Sequence, residues 1–354
     1  MKTKKNTSIY IVIAVVFVVL YLLFAVKPLA KEYHYNPVWK IYTSNQIIND
    51  DASQKFYFKI GGKIGYFTEN KNITLSKTYS DYAAISDYYY ATYDTNARNL
   101  DFFDNRGNLC GTLEAEGFPF FDENRIFVFL PGGSSFAFCN PDGKTKWTGE
   151  NVIPITAFSS NENFTAAGYA DGNIRIFENS DGNNILTYAP GGSDYPVIMG
   201  VGISDDGNLI ASVSGHESQR FVLAQKQETQ TKILYHKFLE TDTNYRTLVH
   251  FCEDQKKVFY SYKDNLGIYD YEKNQNYSIP VKGQILSIKE NDELVILLGY
   301  ERDKAIYTVY FVEKSNSLEG SFSFKASSAF IHVSGNNLFV GKDDTISKIN
   351  ISKE

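Results

Sequence analysis

Between residues 153 and 190 the chain reads IPITAFSSNENFTAAGYADGNIRIFENSDGNNILTYAP, four short apolar runs parted by polar clusters. The runs at 153–158, 164–169, 173–177 and 185–188 are rich in β-branched and aromatic residues, and the gaps hold Ser, Asn, Asp and Gly. Such gap residues favour turns, because Asx and Ser side chains bond nearby backbone amides and Gly accepts positive φ without steric cost. Asp171-Gly172 is the sharpest break, and a type I′ hairpin with positive φ at both residues is expected there. The segment predicts a four-stranded antiparallel meander, with strands a to d in chain order.

The succession recurs. Candidate a strands begin near Gln46, Tyr82, Phe118, Ile153, Val197, Leu248, Gln284 and Ser328, at spacings between 35 and 51 residues, and a period of that length belongs to propeller blades. The a–b turns are rich in acidic and amide residues, and b–c hairpins are expected at 56–67, 127–138, 258–271 and 337–351. Residues 126–130 and 294–298 are apolar at consecutive positions, which suits strands covered on both faces. The last unit ends before any d strand, while VWKIYTS at 38–44 precedes the first unit and has none of its own. That stretch is expected to supply the missing strand and close a ring without open edges. Eight blades are expected, with seven as the alternative count because the fifth unit is long and the first a strand weak.

The N-terminal pattern is different. IYIVIAVVFVVLYLLFAV begins at Ile9, ends at Val26 and carries no charge over its 18 residues, about 27 Å as a helix and close to the thickness of a bilayer core. Lys2, Lys4 and Lys5 precede it, and the positive-inside rule then puts the N-terminus in the cytoplasm and the body outside. The expected division is a cytoplasmic tail at 1–8, a transmembrane helix at 9–26, a linker at 27–37 and an all-β propeller at 38–354. A cleaved signal peptide is the competing reading of the apolar stretch.

Composition sharpens this picture. The formal charge is −6, but the first 31 residues hold five lysines and no acid, so the rest carries −11. A net-acidic body disfavours a nucleic-acid partner. Cys110, Cys139 and Cys252 show no CxxC spacing and read as small buried hydrophobes. The five histidines are spread along the chain, and no pair has metal-ligand spacing. Gly132-Gly133 and Gly191-Gly192 lack the Gly-Lys-Ser/Thr of a phosphate loop and read as turn residues. His216-Glu217-Ser218 lacks a nucleophile elbow and reads as a hairpin tip.

The run Phe138-Cys139-Asn140-Pro141-Asp142-Gly143-Lys144-Thr145-Lys146-Trp147 resembles the quinoprotein-type propeller repeat, in which a c strand ends in an Asp/Gly turn before a d strand carrying Trp. Residues 177–186 and 103–109 look like looser copies, and FTAAGYADGNIRIF at 164–177 resembles the b–c hairpin of WD40-type propellers. The chain departs from both patterns in holding only Trp39 and Trp147 and in lacking recurrent Gly-His and Trp-Asp marks. The resemblance implies a propeller over most of 38–354. Quinone-dependent dehydrogenases of that type carry a vicinal disulfide and calcium-binding carboxylates, and no two cysteines are adjacent here. No catalytic, cofactor-binding or metal-binding residue is therefore assigned.

The expected function is that of a non-enzymatic scaffold for protein partners in or near a bacterial cytoplasmic membrane, single-pass, with the propeller in the periplasm or outside. Quinoprotein-like relatives lacking catalytic groups, such as the propeller subunit of the bacterial outer-membrane assembly machinery, imply such a role by fold alone. The insertion at 221–247 in the fifth unit is the expected contact surface, with Tyr235, His236, Lys237, Glu240 and Tyr245 as its residues. A module binding cell-wall glycan or a small solute, with Tyr88, Tyr89 and Tyr90 as candidates, is the alternative. A divergent hydrolase or oxidoreductase is the third.

Overall fold

The structure is a computed structural model that describes residues 7–25, 32–50, 52–95, 98–228, 230–240 and 243–354; within the N-terminal helix, side chains are described over 10–21. Eight antiparallel sheets follow one another, the blades of a propeller. Strands alternate in direction, so the a–b and c–d turns emerge on one face and the b–c turns and d–a connections on the other. Blades 2 to 7 are consecutive four-stranded meanders. Blade 4, for example, runs Ile155–Ser160, Phe164–Tyr169, Ile174–Glu178 and Asn184–Tyr188, close to the runs expected from sequence.

Blade 8 joins the two ends of the chain. Its first three strands are Ala329–Ser334, Asn337–Lys342 and Thr345–Lys353, and its outermost is Tyr33–Tyr42, paired antiparallel with Thr345–Lys353. The closing strand starts at Tyr33, within the stretch expected to be a linker. Alternation explains the early start: Tyr33 and Tyr35 pack against the core between blades 7 and 8, and Glu32 exchanges backbone hydrogen bonds with Glu354.

Blade 1 departs from expectation. Its strands are Lys55–Ile60, Lys63–Thr68 and Ile73–Thr78, and among the described residues no a strand forms near Gln46. Ile47 makes one isolated parallel bridge with Ile73 instead. The Asp50 carboxylate accepts from Ser53 N, Thr68 Oγ1 and Asn72 Nδ2, drawing the segment onto the turn after Lys63–Thr68. Lys55–Ile60 thus lies innermost, where other blades carry strand a.

Consecutive apolar residues do serve two cores. In Leu294–Glu301, Leu294, Ile296 and Leu298 pack toward blade 8 while Val295 and Leu297 pack toward blade 6. Ile126 and Val128 face blade 2, and Phe127 faces blade 4. Full burial of each such side chain contributes on the order of 1.5–3 kcal/mol, and no blade provides it alone.

The Trp-bearing motif works between neighbours as well. Buried Trp147, on the outer strand Thr145–Gly149 of blade 3, stacks on Phe177 and donates from Nε1 to Asn179 O of blade 4. Gly182, at φ +76, lies so close that a Cβ there would sit 2.5 Å from the indole. Asp171-Gly172 corrects the turn type: Gly172 alone has positive φ, and Asp171 Oδ1 instead accepts the Asn173 N–H. Among the described residues, Gly61-Gly62 is a two-residue turn with positive φ at both positions, between Ile60 and Lys63.

At the N-terminus a helix spans Thr7–Ala25, and its side chains from Tyr10 to Tyr21 are all exposed. Among the described residues no helix is long and apolar enough to cross a membrane. Residues 1–6 of the expected tail 1–8, including Lys2, Lys4 and Lys5, and the stretch 26–31 lie outside the described residues.

Candidate functional site

The inner strands surround a central channel. Its mouth on the a–b face is a cavity of about 610 Å³ whose lining includes Glu123, Arg125, Asp205, His250, Lys289 and Glu290. A second cavity of about 410 Å³ adjoins it through His250 and Lys289 and is lined more apolarly, with Tyr57, Leu286, Phe330 and Ile331. The a–b turns place Glu123 and Asp205 there, while Arg125, His250, Lys289 and Glu290 lie on the flanking strands.

Three arrangements of ionisable groups stand there. Glu290, at the end of the inner strand of blade 7, accepts from His250 Nε2, Cys252 Sγ and Glu253 N of blade 6, each at 2.9 Å, and pairs with Lys314 Nζ at 2.9 Å. Burial pushes its carboxyl up, but the bonds from His250, Cys252 and Lys314 outweigh burial and hold it at about 2. Arg125 pairs with Asp122 at 3.0 Å and Glu123 at 3.2 Å and reaches Ser160 O of blade 4. At blade 1, Asp87 Oδ1 accepts the Tyr57 N–H and His332 Nε2 donates to Tyr57 O. Burial raises the Asp87 and Asp122 carboxyls, and the Lys289 charge acts against that rise in both.

Chemically, these groups bind blade to blade. A thiol–imidazole pair needs the base in contact with the nucleophile, yet the Glu290 carboxylate stands between Cys252 and His250. Burial, reinforced by Glu290, pushes the Cys252 thiol up to about 12. Among the described residues no group of three or more His, Cys, Asp or Glu side chains is placed to hold a metal ion.

The residues expected at the contact surface are divided by the structure. Blade 5 carries a long c–d hairpin, Arg220–Gln227 and Gln230–Phe238. Tyr235 is half-buried and stacks on Tyr269 of blade 6 at 4.1 Å, and Lys237 Nζ donates to Asn276. Those two join blades. His236 and Glu240 are exposed. Tyr245 sits apart, in a cleft on the b–c face. Sequence reading missed Ile233, Leu234 and Phe238, which are exposed on the hairpin's outer strand; an apolar pair at consecutive positions was the available signal, and a bulge between Leu223 and Ala224 leaves Leu234 without a strand partner. Of the three adjacent tyrosines, Tyr88 is exposed, Tyr89 half-buried and Tyr90 buried in the core. Gly192 makes room for Arg220, whose guanidinium donates to Pro190 O and lies over Phe238.

Fold and channel together define a β-propeller. A family model described as beta-propeller protein matches residues 1–354, and the chain belongs to that family. A relative from Treponema pallidum (strain Nichols), described as an uncharacterized protein, is 24% identical over 365 residues, covering 99% of this chain and 96% of its own. Among solved structures, BamB from Moraxella catarrhalis superposes with a TM-score of 0.62 at 12% identity, over 90% of this chain and 100% of that one. Sqt1 from Saccharomyces cerevisiae gives 0.63 at 9% identity, over 90% and 99%, and the computationally designed Ika8 gives 0.62 at 12%, over 87% and 99%. Likeness at such identity concerns the fold.

Proposed function

We propose that the protein is a non-enzymatic interaction platform held at the outer side of a bacterial cytoplasmic membrane, with a protein partner docking on the rim of blade 5. The observation that carries this reading is the blade 5 hairpin, whose outermost strand leaves Ile233, Leu234 and Phe238 exposed. Exposed apolar side chains grouped on one edge mark contact surfaces. The channel chemistry favours binding over turnover, since Glu290, Arg125, Asp87 and His332 all hold neighbouring blades. The anchor rests on the uncharged stretch 9–26 of the sequence, and the lysines ahead of it favour an N-terminus inside.

Two measurements test this. The full chain should stay with membranes after alkaline carbonate, and its release in soluble form would remove the anchor. A photo-crosslinker at Leu234 should capture one partner in stoichiometric yield, whereas one at Thr187 on the rim of blade 4 should not; capture must disappear in Ile233→Asp/Phe238→Asp. Capture that persists in that variant, or robust turnover of esters, glycosides or quinone-linked alcohols, overturns the reading.

A further inference from the structure

On the b–c face, blades 6 and 7 enclose a cleft of about 970 Å³, within the range of ligand sites. Four separate segments build it. The connection into blade 6 brings Tyr245, the b–c turn of blade 6 brings Lys263 and Asp264, the connection into blade 7 brings Lys282 and Gly283, and the b–c turn of blade 7 brings Tyr300 and the 3-10 turn Arg302–Lys304. We infer that this cleft binds an anionic saccharide. The inference is independent of partner docking at blade 5.

The charges point that way. Glu301 pairs with Lys304 at 2.6 Å, and Asp264 Oδ1 accepts the Gly283 N–H at 3.0 Å. Among the described residues Lys263, Lys282 and Arg302 form no ion pair, although the body carries −11. With Asp264, Glu301, Asp303 and Lys304 counted, the lining holds four cations against three carboxylates, a net +1 on an acidic body, and an anion is favoured beside the three cations that form no ion pair.

The walls narrow the class of anion. Tyr245 and Tyr300 are half-buried, and Tyr300 is fixed by stacking on Tyr307 at 4.5 Å. Each combines an apolar ring with a hydroxyl, suited to the face and edge of a sugar. Asp303 supplies carboxylate oxygens that accept from sugar hydroxyls, a feature that opposes a bare polyanion. The frame is preformed: Tyr310 OH accepts the Lys282 N–H at 2.8 Å, and a Cβ at Gly283 would lie 2.3 Å from Tyr300 O. Little ordering entropy then opposes binding.

Calorimetry on the full chain in detergent tests the inference with a galacturonate trimer, a glycerol-phosphate oligomer bearing sugar, a neutral glucose trimer and a glutamate hexapeptide. At least one of the first two should bind, high salt should weaken it, and the neutral trimer should not bind. The galacturonate and phosphodiester arms tell a carboxylate from a phosphate ligand. Lys263→Gln/Arg302→Gln should weaken binding by about tenfold or more, as should Tyr245→Ala, while Lys40→Gln on the closing strand should leave it unchanged. Lys263 and Arg302 are exposed and Tyr245 is half-buried, and an unchanged melting temperature confirms that the variants fold. Absence of binding by both anionic saccharides, equal binding of the glutamate peptide, or indifference to the double substitution overturns the inference.

Discussion

His332 Nε2 donates to the Tyr57 carbonyl at 2.8 Å, a side chain of blade 8 standing where a neighbouring strand's amide would be. Asp87 of blade 2 accepts the Tyr57 N–H at 3.1 Å. The two blades flanking the incomplete one thus satisfy both inward-facing backbone groups of the same residue. A buried carbonyl left alone costs about 1–3 kcal/mol, so His332→Ala should lose at least that much in urea unfolding. Asp87→Ala should lose a similar amount, and a neutral result for both would mean that water replaces the two side chains.

His332 also sets a pH dependence. Burial, with the Lys289 charge, pushes the imidazole down to about 3 from an ordinary 6.5, against the opposing effect of its bond to Tyr57. The unfolded chain therefore binds this proton over the window from about 6.5 to about 3, and stability falls as pH drops through it, by up to about 1.4 kcal/mol per pH unit. His332→Gln should remove that part of the slope between pH 6.5 and pH 5. Parallel slopes for the two proteins would contradict the assignment.

Glu290 acts in a lower window. Its folded carboxyl is held at about 2, from an ordinary 4.5, so its contribution is complete above 4.5 and lost as pH falls toward 2. Its side chain and that of Lys314 are largely buried, and removing one partner of a buried pair costs about 3–5 kcal/mol. Glu290→Gln should show a loss of that size, which Lys314→Met should partly restore in the double variant.

Two thiols should be inert. Burial pushes Cys139 and Cys252 up to about 12, and the thiolate is the reacting form. Iodoacetamide at pH 8 should leave both unmodified in the folded protein and alkylate both in urea. Rapid labelling of Cys252 without denaturant would show that the Glu290 cluster opens.

Trp147 and Gly182 report on the joint between blades 3 and 4. Trp147→Ala should cost about 3–5 kcal/mol as a large-to-small core change. Gly182→Ala should cost about 1–3 kcal/mol, since its positive φ and the indole at 2.5 Å both oppose a side chain.

Ring closure can be tested by truncation. Removing residues 1–31 keeps Tyr33–Tyr42 on blade 8 and should leave a folded monomer. Removing 1–42 bares the edge of Thr345–Lys353, and an exposed strand edge favours aggregation. Equal melting temperatures for the two truncations would count against the closing role.

Much of this was legible in the chain. The hairpin at 164–177 and the doubly covered strands at 126–130 and 294–298 follow from local rules of turn residues and apolar spacing, and the borrowed strand near Trp39 follows from counting strands at the two ends. The candidate surface was only half legible, because Tyr235 and Ile233 look alike in a list of residues and differ in whether blade 6 covers them. Asp171-Gly172 misled for a related reason: the pair permits more than one turn, and the register of Tyr169 against Asn173 selects among them.

The sequence by itself determined the repeat and the strand directions, since each depends on residues close together in the chain, and counting strands pointed to the closing one, spare at the start and missing at the end. Only the tertiary structure decided that blade 1 has three strands with Lys55–Ile60 innermost, that Asp87 and His332 bond the free backbone groups of Tyr57 on it, and that Tyr245, Lys263, Lys282 and Arg302 line one cleft. Those contacts join residues far apart in the chain, and closure of the ring is what brings them within reach.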